Sequence, residues 1–364
     1  MNRRGFLQLG STGLLTAVTS SAWLRSFAAQ GSPALASGKV LVWLELRGGN
    51  DGLNTVIPFR DRLYQQARPT LAISDGPSLN RDLILHPALA PLQPLWQKRR
   101  LAIALGVGWP QPNRSHFRAM DQWATANPEG DGIGWLAAAL DRQRRSGPLV
   151  ALGPSGSRGI EGGKSASLQM APAQLTAAGD SDLDPARAGD NQVLRQILQL
   201  NQTGHRELIR LRDGLAPLPA GVTPPRSAIG QQVGLALRLI GARVAPPVIQ
   251  MAHGGFDTHS SQATRQARAL SELAEALAVF DTGLAALPRR PQVTVLVTSE
   301  FGRRLRQNQS GGTDHGSASV ALLLGDHVPY PFVGSFPSLD QLDDRGDLRP
   351  TLAPTRLYDQ VLAL

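Results

Sequence analysis

The chain contains no cysteine, so disulfides, thiolate zinc sites and cysteine nucleophiles are excluded. Lysine is almost as scarce, confined to Lys39, Lys98 and Lys164, and the net charge of +9 therefore rests on arginine. Those arginines are scattered through expected helices and loops rather than gathered into one basic stripe. Aromatic residues make up only 5% of the chain, too few for a platform on which single-stranded bases could stack. Nucleic acid is set aside as a partner, while anionic small molecules remain attractive. The most apolar N-terminal stretch, "GFLQLGSTGLLTAVTSSAWL", is interrupted by Gln8, glycines, serines and threonines, and makes a poor permanent membrane span.

What is present fits a globular protein: 364 residues, 41% hydrophobic and 18% charged, enough for a large core in one or two domains. Arg3-Arg4 followed by Phe6-Leu7 and a modestly apolar segment resembles a twin-arginine export signal, with cleavage expected after Ala28 or Ala36. The expected organisation is a signal peptide at 1–36 and one domain at 37–364, in the periplasm or secreted. The twin-arginine export machinery is then a partner, and the mature form has no stable membrane span.

Six apolar runs read as buried strands: Val40–Leu46, Leu101–Gly108, "PLVALG", "PPVIQMAHGG", "PQVTVLVTSE" and "SASVALLLG". Helical periodicity lies between them. Leu270, Leu273, Leu277, Phe280, Leu284 and Leu287 mark one apolar face, and 191–213 and 227–243 read likewise. Alternation of strands and helices predicts an α/β fold, with a mostly parallel sheet covered on both faces. The Gly/Ser/Pro-rich stretch 153–173 reads as a long loop.

In such sheets ligand sites form beyond the carboxyl ends of the strands. Five segments place acids, histidines or a hydroxyl there. Asp51 follows Gly48-Gly49, as a site carboxylate or as a turn residue capping a helix. Asp257 and His259 in "HGGFDTH" are two apart, so an extended segment points both to one side. Carboxylate and imidazole donors without thiolates suit a catalytic metal, the alternative being a loop histidine bonded to a nearby acid. Glu300 ends a buried strand and needs a cation, either a metal or one of Arg303 and Arg304. His315 offers a further ligand, and Asp314 could orient an imidazole. Ser115 stands where a turn enters a helix, as cap or nucleophile. Asn113, Arg114, His116, His253, Arg303 and Asn308 complete the expected set, binding substrate or supporting the ligands. His86, His205 and His327 read as structural or surface residues.

Three nucleotide or hydrolase motifs fail. "RGIEGGKS" has Arg158 at the first P-loop glycine, "GPSGS" has Ser157 at the last glycine of a nucleophile elbow, and "GVGWPQ" has Gln111 at the third dinucleotide-binding glycine.

Nearly end to end, the ordered series "LRGGNDGLNTVIP", "HPALAPLQPLW", "RSHFRAMDQW", "VIQMAHGGFDTHSSQ", "TSEFGR" and "NQSGGTDHG" resembles the exported domain-of-unknown-function family 1501. That family is grouped with the alkaline phosphatase and sulfatase superfamily. The resemblance implies an alkaline-phosphatase-like three-layer α/β/α sandwich for 37–364, with divalent metal (zinc, manganese, calcium or magnesium) at the strand ends. By motif order, Asp51, Asp257, His259 and His315 resemble metal ligands, with Glu300 a further candidate, and Ser115 resembles the nucleophile. Active members of the superfamily typically carry Asp-His at the late strand end, where this chain has Glu300-Phe301. Phenylalanine cannot bind metal, so one ligand is missing there. The expectation is a metal-dependent hydrolase of phosphate or sulfate esters. The alternatives are a non-catalytic exported protein of the same fold and an anion-binding module without metal.

Overall fold

The first strand sets the layering. In β1 (Lys39–Leu46) Val40, Val42, Leu44 and Leu46 point into one core, while Trp43 points into another on the opposite face. A strand with apolar residues on both faces must be covered twice, which places β1 at the centre of a sheet. It pairs in parallel with β7 (Val248–His253) on one side and β8 (Gln292–Ser299) on the other. The computed structural model describes residues 39–142, 147–153, 158–165, 167–172, 184–242, 245–289 and 291–364. The expected signal peptide at 1–36 lies outside them.

The remaining strands are β2 (Val56–Ile57), β3 (Ile84–Leu85), β4 (Leu101–Val107), β5 (Leu149–Ala151), β6 (Ser167–Gln169), β9 (Ser319–Leu324) and β10 (Phe332–Val333). β2 and β3 form a small antiparallel pair, and the large sheet has the order β10-β4-β9-β8-β1-β7-β5-β6. Only β9 runs against its neighbours β4 and β8. The fold is thus α/β with a mostly parallel central sheet, as the alternating pattern predicts. The stretch expected as loop at 153–173 holds the short β6. Three residues are too few to carry a periodicity.

Helices cover both faces. On one face α6 (Ala228–Ile240), α7 (Gln262–Ala285), a 3-10 segment at Pro87–Leu92 and α2 (Gln93–Gln97) pack their apolar sides on the even-numbered residues of β1. On the other lie α3 (His116–Thr125), α4 (Trp135–Arg142) and α8 (Pro354–Ala363). There Trp135 stacks on Tyr358 at 4.0 Å between ring centres, with Trp43 edge-on to Trp135 at 5.7 Å. α1 (Arg62–Ala67) closes a smaller core with Leu53, Ile57 and Ile84, and α5 (Gln192–Asp213) starts from its Asn191 cap. No helix of the described residues is long and apolar enough to cross a membrane.

Because β9 is reversed, its amino end lies at the same edge of the sheet as the carboxyl ends of β1, β4, β7 and β8. Segments 47–51, 108–116, 254–259, 300–303 and 314–318 therefore converge on one edge, and they carry the residues of interest.

Candidate metal centre

Two glycines after β1 permit the convergence. Gly48 has φ +117°, and a Cβ there would stand 2.3 Å from the backbone nitrogen of Asp257. At Gly49, φ +73°, a Cβ would strike the Phe301 ring at 2.3 Å. Any side chain at either position would push the β7 and β8 loops apart. Arg303 then clamps these loops from within. Its buried guanidinium donates to the carbonyls of Gly49 at 2.8 Å, Thr313 at 2.7 Å and Phe256 at 3.1 Å, to that of Gly48, and to Asp257 Oδ1 at 2.8 Å.

Three imidazoles face Asp257. His116 Nδ1 donates to Glu300 Oε1 at 2.9 Å, and its Nε2 lies 3.7 Å from Asp257 Oδ2. His315 Nδ1 donates to the Arg114 carbonyl at 2.8 Å, and its Nε2 lies 3.4 Å from Asp257 Oδ1. His259 Nδ1 meets Asp314 Oδ1 at 3.2 Å, while its Nε2 is 3.2 Å from Asp257 Oδ1 and 3.0 Å from His315 Nε2. In each ring Nδ1 faces a group that can only accept, which assigns the proton to Nδ1 and leaves the Nε2 lone pair turned inward. His116, Asp257 and His315 have ligand atoms within 4.8 Å of one another. His259 lies outside that group but approaches two of its members, His315 Nε2 at 3.0 Å and Asp257 Oδ1 at 3.2 Å.

Lone pairs and a carboxylate brought this close repel unless a cation or protons lie among them. Four ligands on one tetrahedral ion at 2.0–2.1 Å would sit about 3.3 Å apart. The 3.0, 3.2 and 3.4 Å separations among His259, His315 and Asp257 match that scale, and His116 Nε2 stands farther off, 3.7 Å from Asp257 Oδ2. Each imidazole is also held from behind by a carboxylate or carbonyl, as metal-bound histidines almost always are. The residues present fit a divalent ion.

Charge at the site follows from these contacts. The Glu300 hydrogen bond raises the pKa of His116 against the opposing effect of burial. For Asp257 burial works upward, but the hydrogen bond from Arg303 and the Arg303 charge outweigh it and bring it down to about 2. Burial lowers His315, which keeps it neutral and able to ligate. Asp314 is lowered by its hydrogen bond from Asn308 and by His259.

The family model described as protein of unknown function (DUF1501) matches residues 96–341. The chain belongs to that family. The matched span contains all four converging donors and leaves Asp51 outside. Comparison with curated proteins finds no match. Among solved structures the chain is similar to the C-terminal periplasmic domain of EcEptC from Escherichia coli in complex with zinc. That match has 10% identity and a TM-score of 0.41, and covers 89% of this chain and 83% of the other. A protein in the alkaline phosphatase superfamily from Vibrio parahaemolyticus matches at 12% identity and TM-score 0.36, covering 86% and 70%. A phosphonate monoester hydrolase of Agrobacterium radiobacter matches at 12% and 0.35, covering 78% and 67%.

In this DUF1501 chain several expected residues have other places. Asp51 is taken up by protein: its carboxylate accepts from the Leu53 and Asn54 amides, from both terminal nitrogens of Arg68, and from Gln262. Asp51 and Arg68 side chains are both wholly buried, so Asp51 is a cap and an ion-pair partner rather than an open ligand. Glu300 likewise serves protein groups, accepting from Gly48 N at 2.8 Å, Ser299 Oγ at 2.9 Å and His116. His253 lies in the core, with Nε2 2.9 Å from the Ala269 carbonyl and its ring edge-on to Phe256. His86 caps the Pro87–Leu92 turn through Nδ1. Asn308 Nδ2 donates to Asp314 Oδ1 at 3.1 Å, and Asn113 Oδ1 accepts from Ser115 N at 2.9 Å.

Ser115 is the exposed N-cap of α3, yet its side chain accepts no capping bond, so its hydroxyl is uncommitted. Phe301 is buried, with its ring 4.6 Å from His315 and 5.0 Å from His116. It forms an apolar floor beneath the two imidazoles. The sequence reading missed Arg68 and Gln262, which no motif announces, and expected His116 only in support. The signal for His116 is its place directly after the cap, where the first helical residue turns toward the strand ends.

Proposed function

We propose that the chain binds one divalent metal through Nε2 of His116, His259 and His315 and the carboxylate of Asp257, and hydrolyses phosphate or sulfate esters. The observation that carries this is the convergence of three inward imidazole lone pairs on one carboxylate, each ring fixed from behind. Three nitrogen donors and one oxygen favour zinc or a similar transition metal over calcium or magnesium, which prefer all-oxygen sets. Bound there, such an ion supplies Lewis acidity to a nearby oxyanion. Ser115 is the nucleophile in this reading. Its Oγ forms a bond to phosphorus or sulfur as the ester oxygen leaves with its electron pair. The departing alcohol gains the proton the serine releases, and water then frees the serine.

The test is the metal content of the folded, exported protein, followed by Ser115→Ala against aryl phosphates and aryl sulfates. The expected result is about one equivalent of metal and loss of hydrolysis in the variant. No bound metal, with hydrolysis indifferent to Ser115→Ala, overturns the reading. Export itself rests on the Arg3-Arg4 signal, and Arg3→Lys with Arg4→Lys should leave the chain in the cytoplasm.

A second reading, a non-catalytic metal-binding protein of this fold, is favoured by Phe301. Its ring lies against His116 and His315, and Asp51 is closed off by Arg68. Metal bound stoichiometrically with every ester inert would decide for it.

A further inference from the structure

Beside the histidines lies a second charged cluster, built from Arg114, Arg304 and Asp347. Asp347 has no solvent exposure and is held by its own turn. Its N–H donates to Asp343 Oδ1 at 2.8 Å, and Asp343 N–H donates to the Asp347 carbonyl at 2.9 Å. Arg114 Nη2 donates to Asp347 Oδ2, and Arg304 Nε lies 3.3 Å from Asp347 Oδ1. Two guanidiniums thus share one buried carboxylate.

A donor is left over. Arg114 Nε is buried and finds no hydrogen-bond partner among the described residues, Arg304 Nε is ion-paired with Asp347 Oδ1 at 3.3 Å, and the two side chains are 25% and 36% exposed. A buried donor left unpaired is costly, and in a native structure a water, an ion or a ligand completes it. Both arginines are also tied to the metal centre by their backbones. The Arg114 carbonyl accepts from His315 Nδ1 at 2.8 Å, and Arg304 N–H donates to the Asp314 carbonyl at 3.0 Å. The nearby acids have other duties: Asp314 receives Asn308 and His259, and Asp343 receives the amides of Arg345 and Asp347.

We propose that Arg114 and Arg304, aligned by Asp347, form an oxyanion cradle at the rim of the histidine centre that receives a tetrahedral phosphate or sulfate group. Arginine suits this role because its planar fork matches two oxygens of such a group at once. Asp347 is a positioning residue that fixes both forks before the anion arrives, which spares ordering cost on binding. The cradle rests on the reading of the site as one for anionic esters, but anion binding can be measured without turnover and without metal.

The experiment is calorimetric titration of the full chain with inorganic phosphate and sulfate, zinc-loaded and after chelation, for wild type, Arg114→Gln, Arg304→Gln and Arg304→Lys. Asp347→Asn risks failing to fold, so Arg304→Gln decides. The expected result is an anion Kd raised about tenfold or more in each Gln variant, partly recovered by Arg304→Lys, with the zinc Kd unchanged. Competition by phenyl phosphate or by phenyl sulfate then names the source of the anion. Wild type that binds neither anion, or Gln variants that bind as wild type does, overturns the proposal. Zinc failing to bind while anion binding still depends on the arginines supports the cradle and sinks only the metal reading.

Discussion

Replacing Glu300 by glutamine tests whether the histidines are set for a metal. The carboxylate is buried and accepts three hydrogen bonds, from Gly48 N at 2.8 Å, His116 Nδ1 at 2.9 Å and Ser299 Oγ at 2.9 Å. Glutamine has the same shape. Its amide oxygen can keep the Gly48 and His116 contacts, while its nitrogen donates to Ser299 Oγ. Geometry survives, and what goes is the charge behind His116. Charge-assisted hydrogen bonds contribute about 1.5–3 kcal/mol against about 0.5–1.5 for neutral ones, so the His116 contact weakens by about 1–1.5 kcal/mol. That corresponds to about tenfold in zinc affinity, the lower end of the 10–100-fold range for groups that orient metal-bound histidines. The assay is zinc competition against a chromophoric chelator at fixed pH, with circular dichroism to confirm the fold. Zinc affinity unchanged in Glu300→Gln, while His315→Ala abolishes it, would falsify the claim that His116 is a ligand oriented by Glu300.

Three further outcomes follow from buried charge elsewhere. Arg68→Met strands the Asp51 carboxylate without its partner in the core, and urea denaturation should show about 3–5 kcal/mol of lost stability, partly recovered by adding Asp51→Asn. Burial brings His86 down from 6.5 to about 4, so in that window the unfolded chain takes up a proton the folded chain refuses, and stability falls as pH drops through it. His86→Asn keeps an acceptor for the Ala88 amide and should flatten this slope in urea midpoints between pH 7 and pH 4. Burial also lifts Glu45 from 4.5 to about 7, so the folded chain holds the extra proton in that window and loses stability as pH rises through 7. Glu45→Gln should then be more stable than wild type at pH 8 by about 1–3 kcal/mol, read from the same midpoints.

The central strands were legible because each is an apolar run, the mark of a strand covered on both faces, and β1, β4, β5, β7, β8 and β9 fall on the six expected stretches, with β1 beginning one residue earlier at Lys39. β6 and β10 were not, since two or three residues carry no period. At the strand ends the sequence shows which residue types are present but not what each faces. Asp51 carried two readings, cap and ligand, and the deciding residue is Arg68, seventeen positions on, with its side chain buried against the carboxylate. Glu300 could have met a metal or one of two arginines, and instead receives His116 from the segment after β4. Arg303, the expected cation, went to Asp257 and four backbone carbonyls. Pairings between segments that are far apart in sequence are set by the topology, and side-chain pattern within one segment does not encode them.

Those pairings also limit what the centre can do. Of the carboxylates that reach this edge, Asp51 is spent on Arg68 and Glu300 on His116, Gly48 and Ser299, and Phe301 fills the space beneath His116 and His315. Among the described residues, donors remain for one ion and not for a pair. Two-metal hydrolases meet the charge of both attacking and leaving oxygens with cations. In the hydrolysis proposed for this chain a single ion would have to share that task with arginine. Arg303 is occupied within the loops, and in the proposed hydrolysis Arg114 and Arg304, which share Asp347, would supply the second half of the clamp. A one-metal, two-arginine division of labour predicts that removing Arg304 costs more in anion binding and turnover than in metal affinity. The reverse pattern would mean that the arginines merely brace the loop that carries His315.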